Sequence, residues 1–89
     1  MKEDLEDLRK QISKLDIEIL NLLKKRLEIS TNVGKCKKKQ GLDIQNNAIE
    51  SQIIMRNRLW ASSNKVNANF IEKLTRLILS ESKDIQEKS

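Results

Sequence analysis

A chain of 89 residues makes a single domain, expected to span 1–89, with a core that is marginal on its own. It has no histidine and one cysteine, Cys36, which excludes an intrachain disulfide and argues against a metal centre; no apolar stretch suits a signal peptide or a membrane span, so a cytoplasmic protein without membrane contact is expected. The net charge of +5 raises nucleic-acid binding, but acidic residues are interspersed on both outer helices and the only aromatics are Trp60 and Phe70, so no nucleic-acid partner is expected and a small anionic ligand is the other explanation to weigh.

The first element is a helix expected from Lys2 to about Lys39. Leu5, Leu8, Ile12, Leu15, Ile19, Leu22, Ile29 and Val33 recur in steps of three and four, the spacing of a seam along one side of a helix. Arg26 occupies the one seam position that breaks the pattern, and Leu20, Leu23 and Leu27 widen the apolar stripe beside it. Acids at Glu3, Asp4, Glu6 and Asp7 and lysines at 35, 37, 38 and 39 suit the two ends of the helix dipole. Such a helix is about 54 Å long, whereas a compact globule of this size is only about 30 Å across. The seam therefore has to be covered by another chain, and a homodimer with paired long helices is expected.

Gly41 marks the end of this helix near its C′ position. A second helix is expected from Asn46 or Asn47 to about Ser62, with Asn47 and Glu50 in a capping-box pattern. Ile49, Ile53 and Trp60 form its buried side, with Ile54 nearby. A polar break at Ser62–Lys65 precedes a third helix from Asn67 or Asn69 to Ile85 or Gln86. Its face runs Phe70, Ile71, Leu74, Leu77, Ile78 and then turns polar at Ser82 and Gln86. With no proline and two glycines, the chain is read as all-α, three helices with a very long first one.

Several polar residues stand where a helical core expects apolar ones. Lys37 follows Arg26 by 11 residues, about 16 Å along nearly the same face. Each has an ordinary explanation: a buried ion pair or a register mark for Arg26, a helix-end lysine for Lys37, a cap for Glu50, a solvent-facing end for Ser82 and Gln86. Taken together they suggest a helical dimer with a solvated or ligand-filled cavity between helices, an anion pocket being one reading of it.

The run Leu8-Arg9 through Ile12, Leu15-Asp16, Ile19, Leu22 and Leu23 to Arg26, the stretch Val33-Gly34-Lys35-Cys36-Lys37, and the end from Phe70-Ile71 through Leu77-Ile78-Leu79 to Ser82 and Gln86 resemble the all-helical chorismate mutases. The resemblance covers about Leu5 to Gln86. It implies an intertwined homodimer that converts chorismate to prephenate on the way to phenylalanine and tyrosine, without metal or cofactor. It further implies two sites shared between chains: Arg26, Lys37, Asn46, Glu50, Ser82 and Gln86 from one chain and Arg9 from the other. Arg9, Arg26, Lys37 and Gln86 carry the catalytic assignment. Arg9 and Arg26 hold carboxylates with help from Ser82, Lys37 and Gln86 face the ether oxygen, and Glu50 takes the ring hydroxyl. Geometry supports the division, because Arg9 lies about 25 Å from Arg26 along a straight helix.

Two positions depart from the family pattern. Asn46 stands where an acidic residue is common, and Ile49 stands where an arginine is common. Ile49 brings neither charge nor donor, which weakens the support for Glu50 and for substrate. Two other readings follow the same resemblance: isochorismate pyruvate lyase, with the same fold and a similar cationic pocket, and a catalytically reduced helical dimerisation or regulatory module.

Overall fold

The computed structural model describes residues 4–89 and consists of three helices: α1 Leu5–Gln40, α2 Asn47–Ser63 and α3 Ala68–Lys88. The expected start at Lys2 and the acidic Glu3 lie outside the described residues.

The helix ends follow from local chemistry. Asp4 caps α1 by accepting the Asp7 N–H at 2.8 Å. At the other end Gly41 adopts φ 71°, a left-handed conformation that costs glycine nothing. The Gly41 and Leu42 N–H groups then donate to the carbonyls of Lys38 and Lys37 at 3.2 and 2.8 Å, closing the helix end. The cap of α2 is Asn46 rather than Asn47: its side-chain oxygen accepts the Ile49 N–H at 3.1 Å and its carbonyl accepts the Glu50 N–H at 3.0 Å. The capping-box reading is thus displaced by one residue. The box position falls on Ile49, and the Glu50 carboxylate is left out of the cap. Asn67 caps α3 by accepting the Phe70 N–H at 3.1 Å.

Helix α3 packs against both of the others, while α1 and α2 do not pack on each other. On the α2 side Ala61 is fully buried and Asn57 donates to Thr75 at 3.1 Å. Arg58 and Arg76 both grip Glu72, each at 2.9 Å. On the α1 side the helices touch at Gly34: a Cβ there would lie 2.7 Å from the Gln86 Cα and 2.9 Å from its carbonyl oxygen. Only a glycine lets the two backbones approach this closely. Beyond it, the α3 terminus is tied to α1 by Lys38, whose ammonium donates to the Glu87 carbonyl at 3.1 Å and to the Ser89 oxygen.

The protomer is elongated, 58 × 25 × 14 Å, with a radius of gyration of 16.7 Å, against about 12 Å for a compact chain of its length. Among the described residues Ala61 is the sole fully buried hydrophobe. The α1 seam is bare from Leu5 to Leu22, as is Ile29. Within the single chain Trp60, expected on the buried side of α2, is 53% exposed, and Phe70, Leu74 and Leu77 of the expected α3 face are exposed as well. The face α3 buries within the protomer runs instead through Ile71, Thr75, Ile78, Ser82 and Gln86. That face is rotated relative to the apolar stripe, which remains uncovered.

Candidate active site

Where α3 crosses α1, the first turn of α2 closes a cavity of about 320 Å³. Its α1 wall is made by Arg26, Ser30, Val33 and Lys37, spaced four, three and four so that they share one face. Its α3 wall is made by Leu79, Ser82, Lys83 and Gln86 at similar spacing. Asn46, Ile49 and Glu50 enter from the loop and α2, and Ile29, Ile44 and Ile53 add apolar surface. Six of the seven residues nominated from sequence are brought together here: Arg26, Lys37, Asn46, Glu50, Ser82 and Gln86. Arg9, exposed on the far reach of α1, is not among the lining residues.

The ordinary explanations for these residues do not describe what they do in the fold. Arg26 is half-buried, yet its guanidinium has no ion pair among the described residues. The Lys37 ammonium turns into the cavity and donates to the Ile44 carbonyl at 2.6 Å. An ammonium has three donors, so two remain for a ligand. Glu50 likewise carries no ion pair. Ser82 and Gln86 are 6% and 9% exposed, so they do not face solvent. Asn46 uses its side-chain oxygen as the α2 cap and keeps its NH₂ group.

A hydroxyl chain links the two walls. Ser30 Oγ lies 2.5 Å from Ser82 Oγ and donates to the Arg26 carbonyl at 3.1 Å. With the Ser30 proton on that carbonyl, Ser82 must donate to Ser30. Ser82 can then only accept from Gln86, whose Nε2 approaches it at 3.3 Å. The chain therefore orients the Gln86 amide with its NH₂ toward Ser82, and Gln86 Oε1 is buried without a partner. An orphaned buried oxygen beside a cavity is a position that a ligand or water donor would satisfy.

Ser30 and Lys83 were missed in the sequence reading. The signal for both was spacing: Ser30 lies four residues from Arg26 and seven from Lys37, and Lys83 lies four from Leu79 and three from Gln86. Among the described residues no cluster of histidine, cysteine or acidic side chains is placed to hold a metal ion, and no helix is long and apolar enough to cross a membrane.

Fold and site together define an all-α protein with a small-molecule pocket between helices, walled by cations and amide and hydroxyl donors. The chain belongs to the family described as chorismate mutase type II, whose model matches residues 8–87. It is 39% identical over 80 residues to the T-protein of Haemophilus influenzae, a match covering 90% of this chain and 21% of that protein. It is 34% identical over 89 residues to the bifunctional chorismate mutase/prephenate dehydratase of Buchnera aphidicola, covering 98% of this chain and 23% of that protein. The chain thus spans little more than a fifth of the length of these curated relatives. A solved structure, a conserved hypothetical protein from Pyrococcus furiosus, superposes with a TM-score of 0.76 at 36% identity, covering 97% of this chain and 99% of that one.

Proposed function

We propose that this chain is a chorismate mutase acting as a homodimer, with Arg26, Lys37, Asn46, Glu50, Ser82 and Gln86 of one protomer and Arg9 of the partner subunit at each site. The observation that carries the reading is the pocket's uncancelled charge: Arg26 and Lys37 face a cavity in which Glu50 is the only carboxylate among the described residues, in a chain of the chorismate mutase type II family. The dimer is supported by the bare α1 seam and by the position of Arg9, about 25 Å along the helix from Arg26. The reading includes a cytoplasmic location, for which the single thiol of Cys36 suits a reducing compartment.

The reaction is an intramolecular rearrangement in which one carbon–oxygen bond breaks as one carbon–carbon bond forms. It needs no nucleophile. The substrate is a dianion that reacts only from a compact conformer, so holding both carboxylates lowers the barrier by orientation. Arginine forks suit that task, and Arg26 with the partner's Arg9 takes it. Negative charge grows on the ether oxygen as its bond to carbon lengthens. Lys37 meets that charge together with Gln86, whose NH₂ gives one hydrogen to Ser82 and keeps the second for the ether oxygen, and a preorganised donor of this kind contributes about 3 kcal/mol to the transition state. The ring hydroxyl donates to Glu50, which is free for it because Asn46 caps the helix. Asn46 offers its NH₂ to the same end of the ligand.

Incubating the purified protein with chorismate should yield prephenate. Salicylate and pyruvate formed from isochorismate, with chorismate untouched, would assign the pocket to the lyase reaction instead. Turnover of neither, together with no binding of a transition-state analogue, would leave a helical dimerisation module.

A further inference from the structure

Lys83 is a cation that nothing in the reaction scheme above uses. It sits inside the pocket-facing stripe of α3, Leu79, Ser82, Lys83 and Gln86, not on the solvent side. It is half-buried, whereas Lys73 and Lys88 on the same helix are exposed. Its neighbours Glu81 and Asp84 fall off the stripe and are exposed. Glu87 stands four residues on, the spacing of a helix ion pair, yet Lys83 makes no ion pair with it or with any other described residue. Arg58 and Arg76 both bind Glu72, and the other cations of α2 and α3 without an ion pair, Arg56, Lys73 and Lys88, are exposed and do not line this cavity. What sets Lys83 apart is its place: a half-buried, unpaired ammonium in a cavity wall can meet an anion that enters the cavity.

The opposite wall explains what it is needed for. The first turn of α2 presents Ile49 and Glu50 to the pocket, an apolar side chain and an anion, and no cation. Three cations of one chain, Arg26, Lys37 and Lys83, thus line the cavity with Glu50, and Lys83 is the one that comes from α3.

We propose that Lys83 is a substrate-binding residue whose ammonium takes a carboxylate of the dianionic ligand, supplying from α3 the cation that α2 lacks. The proposal rests on the mutase reading for the identity of the ligand. Its chemistry requires only a dicarboxylate in this pocket. Because a carboxylate is bound equally before and during the rearrangement, Lys83 acts on binding and leaves the chemical step alone.

The test compares wild type, Lys83→Met, Lys83→Arg and Lys73→Met. Methionine keeps the apolar stem and removes the charge, arginine restores the charge, and Lys73→Met makes the same change in net charge at an exposed site. Affinity is measured by calorimetry with a bicyclic ether dicarboxylate that mimics the transition state, and turnover is measured with chorismate. Lys83→Met should weaken the dicarboxylate about tenfold, the loss expected for one charge-assisted contact. Its KM should rise by a similar factor with kcat nearly unchanged. Lys83→Arg should recover most of the affinity, and Lys73→Met should bind as wild type does. Equal affinity in wild type and Lys83→Met, or equal weakening by Lys73→Met, overturns the assignment. A wild type that binds the dicarboxylate but leaves chorismate unchanged sinks the mutase reading alone, since the affinity ratio still decides Lys83. A wild type that binds no dicarboxylate sinks both.

Discussion

Ser30 shows how much of the site depends on one hydroxyl. It touches Ser82 at 2.5 Å and so determines which way the Ser82 proton points, and through it how the Gln86 amide faces the cavity. In Ser30→Ala the Ser82 proton is released and can be donated to Gln86 Oε1, so the amide is free to turn over and the NH₂ hydrogen meant for the ether oxygen loses its fixed direction. The expected result is a fall of about tenfold in kcat with little change in KM, less than the two to three orders of magnitude that follow outright removal of such a donor. Steady-state kinetics read this directly. A loss of about 1 kcal/mol in stability with kcat intact would mean that the bond only ties α1 to α3.

Between elements, the two contacts of α3 differ in kind. Its crossing with α1 is backbone against backbone at Gly34 and Gln86. In Gly34→Ala the new Cβ meets atoms that cannot rotate away, so the helices must separate where Gln86 enters the pocket. A stability loss of about 1–3 kcal/mol in denaturant melts is expected, accompanied by reduced turnover. The contact with α2 adds to its packing at Ala61 an ion pair between helices, Arg58 with Glu72. Arg76, chiefly through its hydrogen bond, and Arg58 hold the Glu72 carboxyl below its ordinary range. A carboxylate depressed in the folded state stabilises fully above its unfolded value, and the contribution is lost as pH falls through the folded one. Glu72→Gln should therefore melt below wild type at neutral pH, and the gap should close as the solution is acidified below the carboxylate range. A gap that persists in strong acid would assign the effect to packing. Because Glu72 is partly exposed, salt should narrow the gap as well.

At the scale of the whole molecule, a protomer 58 Å long with its seam uncovered cannot keep its apolar surface from water alone. If a second copy covers it, folding and association are linked and Tm rises with protein concentration. A Tm independent of concentration, with a monomer in sedimentation at micromolar concentration, would contradict the dimer. The shared site has a sharper test. Arg9→Ala and Lys37→Ala homodimers should each be nearly inactive. Refolded together, the two mutants form mixed dimers in which the Lys37→Ala chain lends its intact Arg9 to the other chain's intact Lys37. One of the two sites is then complete. Random pairing makes half the dimers mixed, so about a quarter of wild-type activity should return. No recovery in a mixture shown to contain mixed dimers would mean that Arg9 serves its own chain or no site.

The sequence by itself determined the long first helix, its stop at Gly41, the three-helix count and the polar interruptions at Arg26, Lys37, Ser82 and Gln86, because spacing, capping and dipole effects are local and act within a turn or two. The resemblance pointed to the family for the same reason: its motifs lie on single helix faces. Local pattern erred where two neighbours competed for one role, as Asn46 and Asn47 did for the cap, since the winner depends on the path of the loop from Gly41. Nor does it tell which apolar residues one chain covers by itself: Phe70 and Leu77 sit on a stripe that the single chain leaves bare. Only the tertiary structure decided that Ser30 meets Ser82 across 52 residues, that Gly34 is where α1 admits α3, and that Lys83 belongs to the pocket wall. Those facts depend on the angle and rotation at which two helices cross, and helix geometry alone leaves that crossing open until close packing at a residue without a side chain settles it.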